Sequence, residues 1–474
     1  MTSAVDTYRI IALLLFAATI AHAQSPDPRL KNSYVFPESG WVYAHLEGTP
    51  AEVGFQHGYL LSAEIEDSYK VFHLEAVHDT GRDWAFFRKA AETELWPRIE
   101  PEYRAELQGI ADGLHARNST LDLWDVVAIN GYEELSDYYL PWLDKKTHKP
   151  VPPAAVAPGR CSAFIATGSA TKDGRIVIAH SNWSPYIEGE RWNIVFDIAP
   201  ASGHRILMDG SPGMIDSGDD FALNDAGIMV TETTLAGFQG WNPAGTPEFV
   251  RARKAMQYSA SIDNFVSIMR TDNNGGYANS WLVGDRKTSE IAYLELGLQH
   301  TPLTRKKDGY FVSANFSVDP AVARDDTPEF DPNDHANTGN ARRLRATEFM
   351  QQHLGQLDTT LAQAYLSDHY DPYEKKVHAD QRSLCGHEDN ANKGVAVWHN
   401  PPYSPSGAVS GKVMDSDMAG KMSFIARIGH PCGEPFYAAP FLAAHKEFRW
   451  QAPILHDMIA GPWTTFIAGQ HVAS

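Results

Sequence analysis

The stretch from Gly159 to Trp183 decides the fold. It reads GRCSAFIATGSATKDGRIVIAHSNW, with two apolar runs rich in β-branched residues on either side of a segment that closes on Asp173-Gly174. This pattern predicts a β-hairpin. Cys161, one of only three cysteines in the chain, stands at the first position of the first predicted strand.

The segment ahead of this hairpin, residues 143–160, holds four prolines among alanines and lysines, which predicts an exposed linker. Attack of the Cys161 thiol on the carbonyl of Arg160 would give a thioester by an N-to-S acyl shift, and water would release a chain that begins at Cys161. The freed α-amine, with a reference pKa of about 7.7–8.0, could then act as the base of the thiol. The alternative is that Cys161 is a small buried side chain in a strand.

The N-terminus has the features of a secretory signal peptide over residues 1–23. An apolar run from Ile10 to Ile20 is too short to span a bilayer, and Ala21-His22-Ala23 fits a cleavage site. No later stretch predicts a transmembrane anchor. We therefore expect an exported protein, whether secreted, periplasmic or lysosomal.

The charge balance excludes several partners. With 59 acidic and 40 basic residues, the formal net charge is -19, which argues against nucleic acid and against an anionic membrane surface. The sequence contains no Gly-x-Ser-x-Gly, His-Glu-x-x-His or Gly-x-Gly-x-x-Gly motif, and His387, His430 and His456 lack the spacing of metal ligands. We expect no metal site and no cofactor.

Periodicity predicts helices before the hairpin and short strands after it. From Trp41 to Glu134 the pattern is mostly helical, and the clearest case is an amphipathic helix over Pro101–Leu114. Further helices are predicted over Ala341–His353 and Leu361–His369. Strands between helical blocks favour an α+β layered fold. The predicted strands are His204–Met208, Ala222–Leu223, Ile228–Thr234, Ser280–Gly284 and Glu290–Leu296.

Two kinds of covalent modification can be expected from the sequence. Cys385 and Cys432 could form a disulfide in an exported chain, which would leave Cys161 free. Glycosylation sequons begin at Asn118, Asn182 and Asn315, and they matter only in a eukaryotic secretory pathway.

Several motifs occur in order along nearly the whole chain, and together they resemble the phospholipase B-like family. More distantly they resemble the acyltransferases that process penicillin precursors and their peptidase-like relatives. All of these are N-terminal-nucleophile hydrolases with a cysteine nucleophile. The motifs are Gly48–Gly58, Leu107–Gly113, Cys161–Phe164 with Ala179–Trp183, Ser211–Phe221, Thr231–Thr234, Tyr277–Trp281 and Gly407–Val413 before Met418-Ala419.

The resemblance implies a four-layer αββα sandwich of two antiparallel sheets between helical layers. It also implies cleavage between Arg160 and Cys161 into a helical N-terminal fragment, residues 24–142 followed by the linker, and a catalytic fragment, residues 161–474. The two fragments would stay associated. Asp219 and Asp220 lie in a glycine-rich turn, so we interpret them first as turn residues and second as substrate contacts.

The resemblance also implies roles for the site residues. Cys161 would be the nucleophile, and His180 would polarise its thiol or hold the α-amine. Asn279 would stabilise the oxyanion of a tetrahedral intermediate. Thr233, or its neighbour Thr234, matches a site threonine of the family. Arg342, or Arg343, would close the site over a carbonyl or phosphate group.

The predicted function is that of an exported, self-processing acyl hydrolase that forms a thioester at Cys161. Its partner would be an acyl lipid or an N-acyl small molecule, and ester and amide bonds remain open as targets. The alternative is a catalytically silent protein that keeps the fold and binds a lipid or another ligand.

Overall fold

The computed structural model describes residues 27–148, 161–219, 221–394 and 400–471. The predicted signal peptide, residues 149–160 of the predicted linker, and Asp220 lie outside the described residues. Arg160, the residue before the expected cleavage site, therefore also lies outside them.

The described residues form two large β-sheets and one small one. The strands are β1 (Tyr34–Glu38), β2 (Trp41–Gly48), β3 (Ser162–Gly168), β4 (Gly174–Pro185), β5 (Ile194–Pro200), β6 (Ile206–Gly210), β7 (Ala222–Asn224), β8 (Ile228–Thr234), β9 (Asn279–Asp285), β10 (Glu290–Leu296), β11 (Leu303–Lys306), β12 (Gly309–Ser313), β13 (Tyr370–Asp371), β14 (Lys376–Val377), β15 (Ser406–Asp415), β16 (Ser423–Ile428) and β17 (Thr464–Ile467).

The strand order shows how distant parts of the chain meet. The nine-stranded sheet has the order β1-β2-β5-β6-β7-β8-β9-β10-β11, and the six-stranded sheet has the order β12-β3-β4-β15-β16-β17. All pairs are antiparallel except β2 and β5, which run parallel. The expectation of two antiparallel sheets therefore needs correction at this one pair of the nine-stranded sheet.

The helices lie mainly before β3 and between strands of the second half. They are α1 (Pro50–Leu60), α2 (Ser62–Thr80), α3 (Trp84–Ala90), α4 (Pro101–Ala116), α5 (Leu123–Asn130), α6 (Tyr132–Glu134), α7 (Leu140–Lys146), α8 (Tyr186–Gly189), α9 (Glu248–Tyr258), α10 (Ile262–Arg270), α11 (Thr338–Gln352), α12 (Thr359–Leu366), α13 (Ser416–Gly420) and α14 (Ala438–Ala444).

Two sequence-based boundaries need correction. Trp41–Gly48 is a strand and not the start of a helical region, because it pairs with Ile194–Pro200 from far along the chain. The N-terminal region thus adds strands β1 and β2 to the nine-stranded sheet. The linker also starts later than residue 143, because α7 continues to Lys146.

Helices α1 and α4 pack with their backbones in close approach. A Cβ atom on Gly54 would lie 1.9 Å from the carbonyl oxygen of Glu106, and a Cβ on Gly113 would lie 2.3 Å from that of Phe55. Only glycine fits at such distances. The same helix pair covers the nine-stranded sheet through Val53 and other apolar side chains.

The apolar core divides into three main clusters. The first joins α1–α5, α9 and α10 to one face of the nine-stranded sheet. The second lies between the two sheets, and the third joins the six-stranded sheet to α11 and α12. Strand β4 shows the alternation: Ile176 and Ile178 belong to the second cluster, whereas Val177 and Ala179 belong to the third.

The predicted hairpin of β3 and β4 forms the centre of the six-stranded sheet. His180 lies opposite Ala163 of β3 on one side and opposite Lys412 of β15 on the other. Strand β12 pairs with the outer side of β3 and places Ser313 opposite Ala163. Among the described residues, no helix has the length and hydropathy needed to cross a membrane.

Candidate active site

Cys161 lies directly before β3 and is fully buried. Its backbone N–H donates a hydrogen bond to Oδ1 of Asn315 at 3.0 Å, and its carbonyl oxygen accepts one from Nη1 of Arg342 at 2.6 Å. Burial raises the pKa of the thiol well above its usual value, and the nearby Glu232 and Asp219 raise it further. The sulfur is therefore a neutral thiol at neutral pH and needs a base to become a nucleophile.

Arg342 comes from the first turns of α11 and crosses the end of β3. Besides the carbonyl of Cys161, its guanidinium donates to Oγ of Ser162 at 3.2 Å and to Oδ1 of Asn315 at 2.9 Å. Its Cζ atom lies 4.2 Å from the centre of a Trp183 ring, in a cation–π contact. Of the two arginines considered from sequence, Arg342 contacts Cys161, whereas Arg343 lies over the ring of Phe316.

His180 and Glu232 lie beside the thiol of Cys161. One ligand-type atom from each of these three residues lies within 4.8 Å of the others, and all three residues are buried. Burial, together with the positive charge of Lys412, lowers the pKa of His180 to about 3, so its ring is neutral at pH 7. Within the described part of the chain, neither ring nitrogen has a hydrogen-bond partner. A neutral imidazole in this position can accept the thiol proton.

Glu232 is held by Tyr277, whose hydroxyl donates to Oε1 at 3.1 Å. Burial raises the pKa of Glu232 well above its ordinary value, against the lowering effect of this hydrogen bond. This shift favours the protonated carboxyl group, which can donate a hydrogen bond within the site. The sequence motif Thr231–Thr234 contained this residue, but only its threonines were considered for the site.

Lys412, opposite His180, forms a buried ion cluster with two aspartates. Its Nζ lies 2.8 Å from Oδ2 of Asp209 and also contacts the carboxylate of Asp219. Burial alone would raise the pKa of Asp219, but Lys412 and His180 hold it below its ordinary value. The pKa of Asp209 is raised by burial and by Asp219. Asp219 does lie in a bend between β6 and β7, and its carboxylate has a further role that the sequence did not predict, since it pairs with a buried lysine.

Asn279 and Thr233 lie on the neighbouring strands β9 and β8. Both amide atoms of the Asn279 side chain are buried, and neither has a hydrogen-bond partner among the described residues. Oγ1 of Thr233 lies 2.6 Å from Oγ of Ser313 and accepts a hydrogen bond from the backbone N–H of Asn315. Thr234, opposite Asn279 in the sheet, accepts a hydrogen bond on its carbonyl from Nδ2 of Asn315. Thr233 thus contacts Asn315 and Ser313, and it is linked to Cys161 through Asn315.

Sequence reasoning missed Asn315 as a site residue. It entered only as a glycosylation sequon, yet its side chain is buried and bonded to Cys161, Arg342 and Thr234. Asn182 is also buried, and among the three sequon asparagines only Asn118 is exposed. In the folded chain, glycosylation is thus sterically open at Asn118 alone of the three.

The expected disulfide is not formed in the structure. Cys385 and Cys432 are both free, and each sulfur contacts Nε2 of His387, at 3.6 and 3.5 Å respectively. The imidazole lies against both thiols, which therefore belong to a cluster of side chains and not to a covalent pair. His387 had no ligand-like spacing in the sequence, and only folding brings it to the two cysteines.

The Phospholipase B family model matches residues 74–298, a range that includes Cys161, His180, Glu232 and Asn279. An uncharacterized protein of Archaeoglobus fulgidus is 28% identical over 310 residues, which cover 60% of this chain and 48% of that protein.

A Caenorhabditis elegans protein with the provisional name phospholipase B-like 3 is 28% identical over 207 residues, covering 41% of this chain and 35% of its own length. The alignments thus span half or less of these relatives. A crystal structure of a mutant conjugated bile acid hydrolase from Clostridium perfringens aligns at 11% identity with a TM-score of 0.32, covering 56% of this chain and 88% of that one. At that score the structural likeness carries no argument. Over the matched residues, the chain is similar to the phospholipase B-like family.

Proposed function

We propose that this protein is an exported acyl hydrolase that activates itself by cutting its own chain between Arg160 and Cys161. The observation that carries the proposal is the hydrogen bond from the backbone nitrogen of Cys161 to Oδ1 of Asn315. A bond to a backbone amide is ordinary, but this nitrogen would become the α-amine of a new N-terminus. Asn315 would then hold that amine beside the sulfur it must deprotonate.

The self-cleavage follows from groups around Cys161. His180 would take the thiol proton, and the thiolate would attack the carbonyl carbon of Arg160. The C–N bond to Cys161 would break as its nitrogen gains a proton, which leaves a thioester between Arg160 and the Cys161 sulfur. Water would hydrolyse this thioester and release an acid at Arg160 and a free thiol and amine at Cys161. Because Cys161 is fully buried, we expect this cut to precede access by a substrate.

The hydrolytic cycle would use the same sulfur. The α-amine would accept the thiol proton, the sulfur would attack the acyl carbon, and the proton would pass to the leaving alcohol or amine. Water would then cleave the acyl thioester and release a carboxylic acid. The unpartnered amide of Asn279 suits an oxyanion donor, since its N–H groups are committed to no other group in the described chain.

The finer features of the fold belong to the same proposal. We infer the four-layer αββα arrangement of N-terminal-nucleophile hydrolases, with residues 24–142 and the linker as one fragment and residues 161–474 as the other. The three core clusters support this layering, because they alternate helix with sheet, sheet with sheet, and sheet with helix. The first cluster contains residues from both fragments, which supports their association after cleavage. The same proposal includes a signal peptide over residues 1–23.

The proposal is tested by giving purified, cleaved protein matched substrates. 4-Methylumbelliferyl esters and 7-amino-4-methylcoumarin amides of the same acyl groups, followed by diacyl phospholipids, separate ester from amide hydrolysis. We expect turnover that disappears in Cys161→Ala. Turnover of no ester or amide, despite complete cleavage and labelling of Cys161 by a thiol-reactive acyl probe, would overturn the enzyme proposal and favour a ligand-binding protein.

A further inference from the structure

Four side chains from three separate segments meet next to Trp183. They are His369, Cys385, His387 and Cys432, and one ligand atom from each lies within 4.8 Å of all the others. Cys385 and His387 are buried, whereas His369 and Cys432 are half-buried. The cluster is distinct from the group formed by Cys161. Two thiols and two imidazoles are a donor set typical of structural zinc.

Two distances from His387 match those between ligands of one tetrahedral ion. Zinc bonds of about 2.3 Å to sulfur and about 2.0–2.1 Å to nitrogen place tetrahedral S and N ligands about 3.5–3.6 Å apart. Nε2 of His387 lies 3.6 Å from the sulfur of Cys385 and 3.5 Å from that of Cys432. The ring of His369 lies 5.1 Å from that of His387, nearly perpendicular to it, and its side chain interacts with that of Cys432.

His430 lies beside this cluster, but both of its ring nitrogens already have partners, so it is not one of the zinc ligands. The ring of His430 lies 4.1 Å from that of His387, but its Nε2 contacts the hydroxyl of Tyr186 at 3.0 Å and its Nδ1 contacts the carbonyl of Glu434 at 2.8 Å. The four remaining ligands fill a tetrahedron and leave no position open for water. Such a closed set is the mark of a structural site and not of a catalytic one.

We propose that His369, Cys385, His387 and Cys432 bind one structural zinc ion. The two thiols lose their protons to solvent as they bind, and the two thiolates neutralise the charge of Zn²⁺ in a largely buried place. A disulfide between the same cysteines is the exclusive alternative, because it would use both sulfurs and bring them to about 2.05 Å. The ion fastens the segment around residues 369–387 to the turn that carries Cys432.

This fastening reaches the candidate active site through Trp183. Gly386 lies between two of the ligands, and a Cβ atom there would come within 2.1 Å of the Trp183 ring, so the backbone packs directly on the indole. The same indole supports the guanidinium of Arg342 at 4.2 Å. Zinc would thus act as a positioning element for Arg342. This last effect rests on the proposed function, whereas the metal site itself does not.

The experiment measures metal content in the full-length protein, purified without chelator and dialysed against metal-free buffer. We expect one zinc ion per chain, measured by inductively coupled plasma mass spectrometry. The Co²⁺-exchanged protein should show the intense visible bands of tetrahedral cobalt and a thiolate-to-cobalt charge-transfer band. Cys432→Ser should lose both signals. Cys161→Ser and His456→Gln, a change at an exposed histidine outside the cluster, should keep them.

A second variant and a second measurement keep the outcome decisive. If Cys432→Ser does not fold, His369→Gln at the half-buried position should weaken metal retention and alter the cobalt spectrum. A Cys385–Cys432 disulfide in a non-reducing peptide map would overturn the proposal. So would fully reduced thiols without bound metal, or metal that is lost in Cys161→Ser and kept in Cys432→Ser. None of these readouts depends on cleavage or turnover. Failure of the zinc proposal is therefore distinguishable from failure of the acyl hydrolase proposal.

Discussion

Asn315 offers the sharpest single perturbation of the site. Its side chain accepts hydrogen bonds from the backbone nitrogen of Cys161 at 3.0 Å and from Nη2 of Arg342 at 2.9 Å, and donates one to the carbonyl of Thr234 at 2.9 Å. Asn315→Ala removes all three. Arg342 keeps its hydrogen bonds to the Cys161 carbonyl and to Thr338, whereas the other two groups lose the partner that Asn315 provides.

The structure sets the size of the effect. Each buried group left without its partner costs about 1–3 kcal/mol, so Asn315→Ala should lower the free energy of unfolding by about 2–6 kcal/mol. In the cleaved enzyme the nitrogen of Cys161 would be the catalytic base, and its misplacement should reduce kcat on the order of 100-fold. Self-cleavage should slow as well, because the same bond fixes the scissile peptide nitrogen.

The assay follows the cleaved fraction by denaturing electrophoresis, kcat per cleaved chain with the fluorogenic ester and amide pair, and unfolding by denaturant. Asn333→Ala, the same change at an exposed asparagine, should match the wild type in all three. Asn315→Asp keeps an acceptor oxygen for the Cys161 nitrogen and Arg342 but places a carboxylate oxygen against the Thr234 carbonyl. Its cleavage and kcat should therefore fall between those of Asn315→Ala and the wild type. Wild-type cleavage and kcat in a folded Asn315→Ala protein would refute this account of the α-amine.

Three further substitutions test the neighbouring groups. Asn279→Ala should reduce kcat about 10²–10³-fold with little change in unfolding, because the amide acts on the oxyanion of the transition state; unchanged kcat would remove it from the site. Lys412→Met leaves two buried aspartates without their cation and should cost about 3–5 kcal/mol of stability, whereas Lys421→Met at an exposed position should cost almost nothing in the same denaturant titration. Burial raises the pKa of Glu232 in the folded state. The contribution of its protonation to the free energy of unfolding is therefore fully present below the unfolded-state pKa of about 4.3 and is lost as pH rises toward the folded-state pKa. Between these two pKa values, Glu232→Gln should therefore gain about 1.4 kcal/mol of stability per pH unit relative to the wild type, and parallel stability curves would contradict a raised pKa at Glu232.

The sequence predicted best where local pattern decides the structure. The β3–β4 hairpin follows from two apolar runs around Asp173-Gly174, and helix α4 from proline at its start and an apolar stripe. Trp41–Gly48 was misjudged because its partner strand β5 lies about 150 residues away and pairs with it in parallel. Nothing local to the segment records that pairing.

The site was predicted partly from local pattern and partly from the family motifs. Cys161 was proposed from its place between the linker and the hairpin, whereas His180 and Arg342 were chosen by resemblance. Both residues lie against Cys161 in the structure, and the roles of all three are proposals. Asn315 was missed because its importance depends on β12 pairing with β3, which brings it to the start of that strand. The ligands of the proposed zinc site were missed for the same reason, since residues far apart in sequence meet only in the folded chain.

The central claim is that the thiol of Cys161 cuts the peptide bond ahead of it. The most direct measurement is mass spectrometry of the active protein, with N-terminal analysis of its larger fragment. We predict a fragment that begins at Cys161 in the wild type and a single uncut chain without activity in Cys161→Ala. An intact Arg160–Cys161 bond in fully active molecules, or normal cleavage in Cys161→Ala, would contradict the account.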